Sequence, residues 1–207
     1  MVINNIQSIF FHVPKCAGHC IEQFFMPGER DYKVYNDDIV FGLKNGVMTQ
    51  HVNYTNLLKL KAKSVVGDYF KFAFFRNTWE RLASAYYYLK PLYDSKHGDF
   101  DTLIRHVCSR VSCNNYVQGW HFGKQTDYIF HRGKPILNFI GSYEKLDEDF
   151  KQLCSLITVD YKPLQKTNQS AKPSNWQSLY NDETIELVKN AYAHEIEFFK
   201  YEFLQCN

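Results

Sequence analysis

Alternating strands and helices predict one α/β domain over residues 1–207, with a mostly parallel central sheet flanked by helices. Three observations carry this. Residues 8–13 (SIFFHV) form a short apolar run ended by Pro14, the pattern of a strand buried on both faces. Residues 71–75 (KFAFF) form a second such run. After each run comes a short turn and then a segment with helical character, IEQFF in the first case and RNTWERLASAYYYL in the second.

The elements follow in order. KCAGHC links the first strand to its helix. Residues 29–46 hold turn formers with weak periodicity and read as irregular with a short strand; residues 54–63 read as a short helix. After the second strand, Trp79, Leu82, Ala83 and Tyr86 fall on one helical face. Residues 90–100 read as a loop, 100–113 as a helix and 114–123 as a loop. Residues 126–130 and 136–140 flank HRGKP and read as strands, either a hairpin or with the second strand in the parallel core. Residues 146–157 read as an amphipathic helix and 161–175 as a polar loop. The clearest helix spans 182–200: Asp182 and Glu183 favour its positive end, and Ile185, Val188, Tyr192, Ile196 and Phe199 recur at helical spacing. There is no internal repeat and no low-complexity linker.

Composition narrows the function. A chain of 207 residues suits one domain. Hydrophobic residues at 45% and charged residues at 22% are ordinary globular usage, so a packed core is expected. A net charge of +2 is too weak to make nucleic acid the main partner, though a locally basic anion site is compatible with it. No run of about 18 apolar residues exists, so no membrane span is expected. The N-terminal stretch lacks a charged segment followed by a signal-like core, which predicts a cytoplasmic protein. Cys16, Cys20, Cys108, Cys113, Cys154 and Cys206 form no paired CxxC sites, which argues against structural zinc and for reduced thiols. Nothing in the sequence reads out the oligomeric state.

Two constellations carry chemistry. In the first, Lys15 stands at a strand end before Cys16, Ala17, Gly18, His19 and Cys20 and a helix. Backbone N–H groups at such a junction point at an anion, and the lysine adds a full charge. Alone, the segment is explained equally well as a surface lysine beside a tight turn. It is not a Walker A loop, because GxxxxGK(S/T) is absent and Lys15 precedes the turn. A cysteine phosphatase needs an arginine soon after its nucleophile, and IEQFFM supplies none. In the second constellation, Arg76, Asn77, Arg81 and Ser84 present a guanidinium fork at a strand end and a hydroxyl two helical turns beyond it, which suit a phosphate. Arg81 alone is also explained as a salt-bridge partner on a solvated face.

Together these residues resemble the PAPS-dependent sulfotransferases (PAPS is 3'-phosphoadenosine-5'-phosphosulfate). The similarity is to the sulfotransferase family 2-like group of carbohydrate and heparan-sulfate-type enzymes with bacterial relatives. That family's 5'-phosphosulfate loop reads roughly PKTGGTS, and here it is Pro14-Lys15-Cys16-Ala17-Gly18-His19-Cys20. Its 3'-phosphate motif reads roughly FVRNPxxRxxSxY, and here it is FFRNTWERLASAY. The likeness continues through Gln125-Thr126-Asp127-Tyr128, FIGSYEKLDEDFKQLC and SLYNDETIELVKNAYAHEIEFFKYEF. It covers nearly the whole chain and is weakest between Phe24 and Asn45. The chain departs from the pattern where Cys16, His19 and Cys20 replace Thr or Ser, so anion grip must lean on backbone N–H groups, Lys15 and His19. Thr78 replaces a proline that assists a first helical turn without being required.

The resemblance implies a P-loop-like fold and transfer of a sulfuryl group from PAPS to an acceptor hydroxyl, giving PAP and a sulfate ester without a metal. It places Lys15 and the loop Cys16, Ala17, Gly18, His19 and Cys20 on the 5'-phosphosulfate, and Arg76 and Ser84 on the 3'-phosphate. Family likeness favours a carbohydrate acceptor. A general base must take the hydroxyl proton, and histidine suits neutral pH. Of His12, His19, His51, His97, His106, His121, His131 and His194, His51 lies between the two motifs, where related enzymes place a histidine. Glu22, on the first helix, is the second candidate. Lys166, Asn168, Ser170 and Lys172 fall in the late polar loop, where relatives often close over the nucleotide, and a solvated loop is the more ordinary explanation of them. Tyr86, Tyr87, Tyr88, Trp120 and His121 offer sugar-stacking surfaces, with core packing the ordinary role of at least two of the tyrosines. The rival readings are a P-loop nucleotide kinase and a non-catalytic glycan- or nucleotide-binding relative.

Overall fold

The computed structural model describes residues 1–28, 31, 33–45, 47–61, 63–90, 99–112, 121–165 and 175–203. Trp120, Lys166, Asn168, Ser170, Lys172, His97, Cys113 and Cys206 lie outside the described residues. The chain groups into two compact units, Met1–Phe75 with Asp127–Thr167, and Arg76–Thr126 with Asn168–Asn207.

The first unit is built on a four-stranded sheet in the order β1 (Val2–Ile3), β2 (Ser8–Phe11), β5 (Phe70–Phe75), β8 (Phe139–Ser142). β1 runs antiparallel to β2, while β2 with β5 and β5 with β8 pair in parallel. The predicted α/β class and the parallel-dominated sheet flanked by helices are what the structure has. Both central strands are apolar runs because both faces are covered. Phe10, Phe72, Phe74 and Phe139 pack with Ile21, Phe24 and Phe25 of α1 (Gly18–Phe25) and with Phe150, Leu153 and Cys154 of α6 (Leu146–Leu156). On the opposite face Phe11 meets Tyr54 of α2 (Tyr54–Leu60) at 6.5 Å between ring centroids. Lys71 is the polar exception in β5. Its Nζ donates to the carbonyls of Gly67 and Tyr69 at 2.9 and 2.7 Å, and burial lowers its pKa.

Small elements complete this unit. β3 (Leu43–Lys44) and β4 (Val47–Met48) form an antiparallel pair, and a 3-10 turn, Thr49–His51, follows. α3 (Lys63–Asp68) leads into β5. Of the strand expected over 126–130, only Phe130 is in a strand. Gln125–Tyr128 is a 3-10 turn, and only Phe130–His131 (β6) pairs with Lys134–Pro135 (β7), across Arg132 and Gly133 at φ 52° and 73°. The core strand begins at Phe139, because Ile136 N–H is drawn to Ile129 O at 2.8 Å and the Asn138 side chain is spent on Lys71 N–H at 2.8 Å.

The second unit is helical: α4 (Thr78–Leu89), α5 (Phe100–Ser112), α7 (Asp182–Ala191) and α8 (Ala193–Phe199). Its core joins Trp79, Leu82, Ala85, Ile104, Val107, Val111, Val188 and Tyr192. The single helix expected over 182–200 is broken at Tyr192, at φ −111° and ψ 22°. The fully buried Tyr192 hydroxyl donates to Phe122 O at 2.6 Å, and Glu195 is buried just beyond the break. The break serves two tertiary hydrogen-bond partners that periodicity does not register.

Candidate functional site

The loop after β2 has a backbone that few side chains tolerate. Lys15 and Ala17 both have left-handed φ, 67° and 62°, and Cys16 between them does not. Such alternation turns successive N–H groups to one side, an arrangement that receives anions. The loop opens directly into α1, whose first-turn N–H groups reinforce the positive end. Lys15, His19 and Cys20 are half-buried. Cys16 is buried, with its Sγ turned to Pro14 O at 3.5 Å, so it contributes to the loop through its backbone. A left-handed alanine costs about 1–2 kcal/mol relative to a right-handed one, a strain that glycine avoids. Ala17→Gly is therefore expected to stabilise the protein by about 1 kcal/mol. A urea unfolding midpoint that moved down would contradict the strain.

A histidine lies beneath the loop. Gly18 must be glycine, because a Cβ there would sit 2.0–2.1 Å from Cδ2 and Nε2 of His12. The buried His12 ring is tied through Nδ1 to Glu22 Oε1 at 2.7 Å. The second candidate base is thus fully buried on this pair. Sequence reasoning gave His12 no role. The signal available was a histidine interrupting the apolar run next to the loop.

His51 sits against the same residue. Its Nδ1 lies 3.0 Å from His12 O, and the two rings meet edge to face at 4.4 Å. A carbonyl only accepts, so Nδ1 carries the hydrogen. In the neutral ring Nε2 then holds the lone pair, and the Gln50 amide lies 3.1 Å from it. This is the tautomer in which Nε2 can take a proton. The turn that carries His51 is anchored by Thr49, whose N–H and hydroxyl both donate to Gly42 O at 2.9 Å. Gly42 has φ +95°, and a Cβ there would meet Val34 O at 2.0 Å, so only glycine fits.

In the second unit, Arg76 is the residue after β5 and is buried, with Nη2 2.6 Å from Glu80 Oε1. Asn77 caps α4, its side chain accepting from the N–H groups of Trp79 and Glu80. Ser84 is buried on α4. Arg81 is not on a solvated face. It is fully buried and donates to the carbonyls of His121 and Gly123 at 3.0 and 2.9 Å, so it holds the fold of the 121–123 segment. Tyr86 packs on Phe100 in the core, whereas Tyr88 is exposed and its ring lies 5.4 Å from His121.

Cys108 and Cys154 are poor nucleophiles. Burial pushes Cys108 up to about 12 and raises Cys154. Among the described residues, no group of three or more His, Cys, Asp and Glu side chains is placed to hold a metal ion, and no helix is long and apolar enough to cross a membrane.

Comparison with known proteins places the chain. A family model described as the sulfotransferase family matches residues 1–202. No curated protein and no solved structure matches the chain significantly. The chain belongs to the sulfotransferase family, whose members transfer sulfuryl groups.

Proposed function

We propose that this member of the sulfotransferase family takes its sulfuryl group from PAPS and delivers it to a carbohydrate hydroxyl, giving PAP and a sulfate ester. The observation that carries the reading is the left-handed pair Lys15 and Ala17 between β2 and α1. It supplies converging N–H groups and one ammonium where a phosphosulfate needs them. Parallel pairing brings the carboxyl ends of β2 and β5 to one edge of the sheet, the edge where α/β proteins bind ligands.

When bound, PAPS supplies an activated sulfuryl group whose leaving oxygen gains charge during transfer. Lys15 neutralises that charge, and the backbone of Cys16, Ala17, Gly18 and His19 cradles the same end, while Cys20, whose N–H is donated to Ala17 O at 3.0 Å, borders it with its side chain. Arg76 and Ser84 hold the 3'-phosphate, with the guanidinium rotamer fixed by Glu80. His51 takes the acceptor proton at Nε2, with its tautomer set by the His12 carbonyl. The described cysteines Cys16, Cys20, Cys108 and Cys154 are in no disulfide, which suits the reducing cytoplasm in which we place the enzyme.

Calorimetric titration with PAP and with ATP plus magnesium tests the nucleotide. PAP is expected to bind at least about tenfold more tightly, since a charge-assisted phosphate contact is worth roughly 1.5–3 kcal/mol. Preference for ATP with magnesium would replace this reading with the nucleotide kinase.

A further inference from the structure

The segment Gln125-Thr126-Asp127-Tyr128 has no part in the roles above, yet Gln125 and Glu195 are both fully buried. The Gln125 side chain pairs twice with the main chain of Arg76. Arg76 N–H donates to Oε1 at 3.0 Å, and Nε2 donates to Arg76 O at 2.9 Å. A neighbouring strand pairs a residue in the same two-bond way, and here a side chain supplies it one residue beyond the end of β5. The amide has one admissible orientation. Nε2 also lies 3.1 Å from Glu195 Oε1, and a carboxylate can only accept, so Oε1 must face the Arg76 N–H.

Glu195 is itself held from several sides. It accepts the Gln125 N–H at 2.6 Å and the Thr78 hydroxyl at 2.7 Å, and Arg81 Nη2 lies 3.8 Å away. Thr78, Arg81 and Glu195 are all fully buried. A carboxylate is retained in such a place only when its oxygens are occupied by donors and its charge is balanced. The consequence for Arg76 is a backbone locked at both polar groups and a guanidinium braced by Glu80.

We propose that Gln125, oriented by Glu195, is a positioning residue for Arg76 and thereby sets recognition of the 3'-phosphate. This rests on the reading that Arg76 binds that phosphate. The signal in the sequence was a glutamate on the apolar stripe of the last helix, three residues after Tyr192.

The test compares calorimetric affinities for PAP and for adenosine 5'-phosphate, which lacks the 3'-phosphate. Wild type, Arg76→Ala, Gln125→Leu and the double variant are measured. Gln125→Leu is expected to weaken PAP about tenfold and to leave adenosine 5'-phosphate unchanged. The double variant should bind PAP no worse than Arg76→Ala alone, because the two residues act through one contact. If Arg76→Ala abolishes the preference for PAP while Gln125→Leu keeps it, the inference is overturned. If Arg76→Ala itself keeps the preference, the underlying reading falls instead. Should Gln125→Leu fail to fold, Gln125→Glu is measured instead, which keeps an acceptor for the Arg76 N–H but sets a second acceptor against Arg76 O. It is expected to weaken PAP and to leave adenosine 5'-phosphate unchanged, and a PAP preference equal to wild type would overturn the proposal.

Discussion

His51→Ala is expected to lower turnover by about 10²–10⁴-fold, the usual contribution of a positioned general base. The affinity for PAP should stay within about twofold of wild type, because the role proposed for His51 is toward the acceptor and not the nucleotide. The geometry behind this is specific. The His12 carbonyl takes the Nδ1 hydrogen of His51 at 3.0 Å, which leaves the lone pair on Nε2, where the acceptor hydroxyl would have to displace the Gln50 amide that lies 3.1 Å away. A small diffusible base such as imidazole should restore part of the lost rate in the alanine variant. Steady-state rates at saturating PAPS, with PAP affinity measured separately, check the result. Turnover equal to wild type in a folded His51→Ala protein would reject the assignment.

Lys15→Ala is expected to lower turnover by about 10²–10³-fold, the scale seen when one donor to developing charge is removed. Its effect on PAP affinity should be smaller, since the ammonium is needed most when charge builds on the leaving oxygen. This asymmetry separates it from Arg76, where the loss should fall on nucleotide affinity. Lys15 also has φ 67°, so its substitution tests side-chain charge within a backbone the loop already imposes. Lys15→Arg, which keeps a positive charge, should recover only part of the rate, because a planar guanidinium does not reproduce a compact ammonium at one oxygen. Rapid-quench single-turnover measurement with labelled PAPS isolates the step. A loss confined to affinity, with the chemical step unchanged, would move Lys15 from catalysis to binding.

How far the sequence discloses this molecule depends on the range of the forces involved. The strands at β2 and β5 were legible because burial on both faces leaves unbroken apolar runs. The start of α4 was legible because Arg76 and Asn77 stand at the junction, and Asn77 is the cap the structure shows. The strand expected at 126–130 was wrong because Gln125 is committed to Arg76 and Glu195, and those bonds span 49 and 70 residues. The unbroken helix over 182–200 was wrong for a related reason: Tyr192 and Glu195 answer to Phe122 and Gln125, which local periodicity cannot see. His12 and Glu22 lie only ten residues apart, but a left-handed turn separates them, and sequence spacing does not reveal that it brings the two side chains to 2.7 Å.

Transfer of labelled sulfuryl from PAPS to a panel of mono-, oligo- and polysaccharides tests the whole account most directly. Label is predicted in a carbohydrate ester, with one PAP released for each ester formed. If the protein binds PAP but no carbohydrate gains label, it is a nucleotide-binding relative without this activity, and the assignment of a carbohydrate sulfotransferase is contradicted.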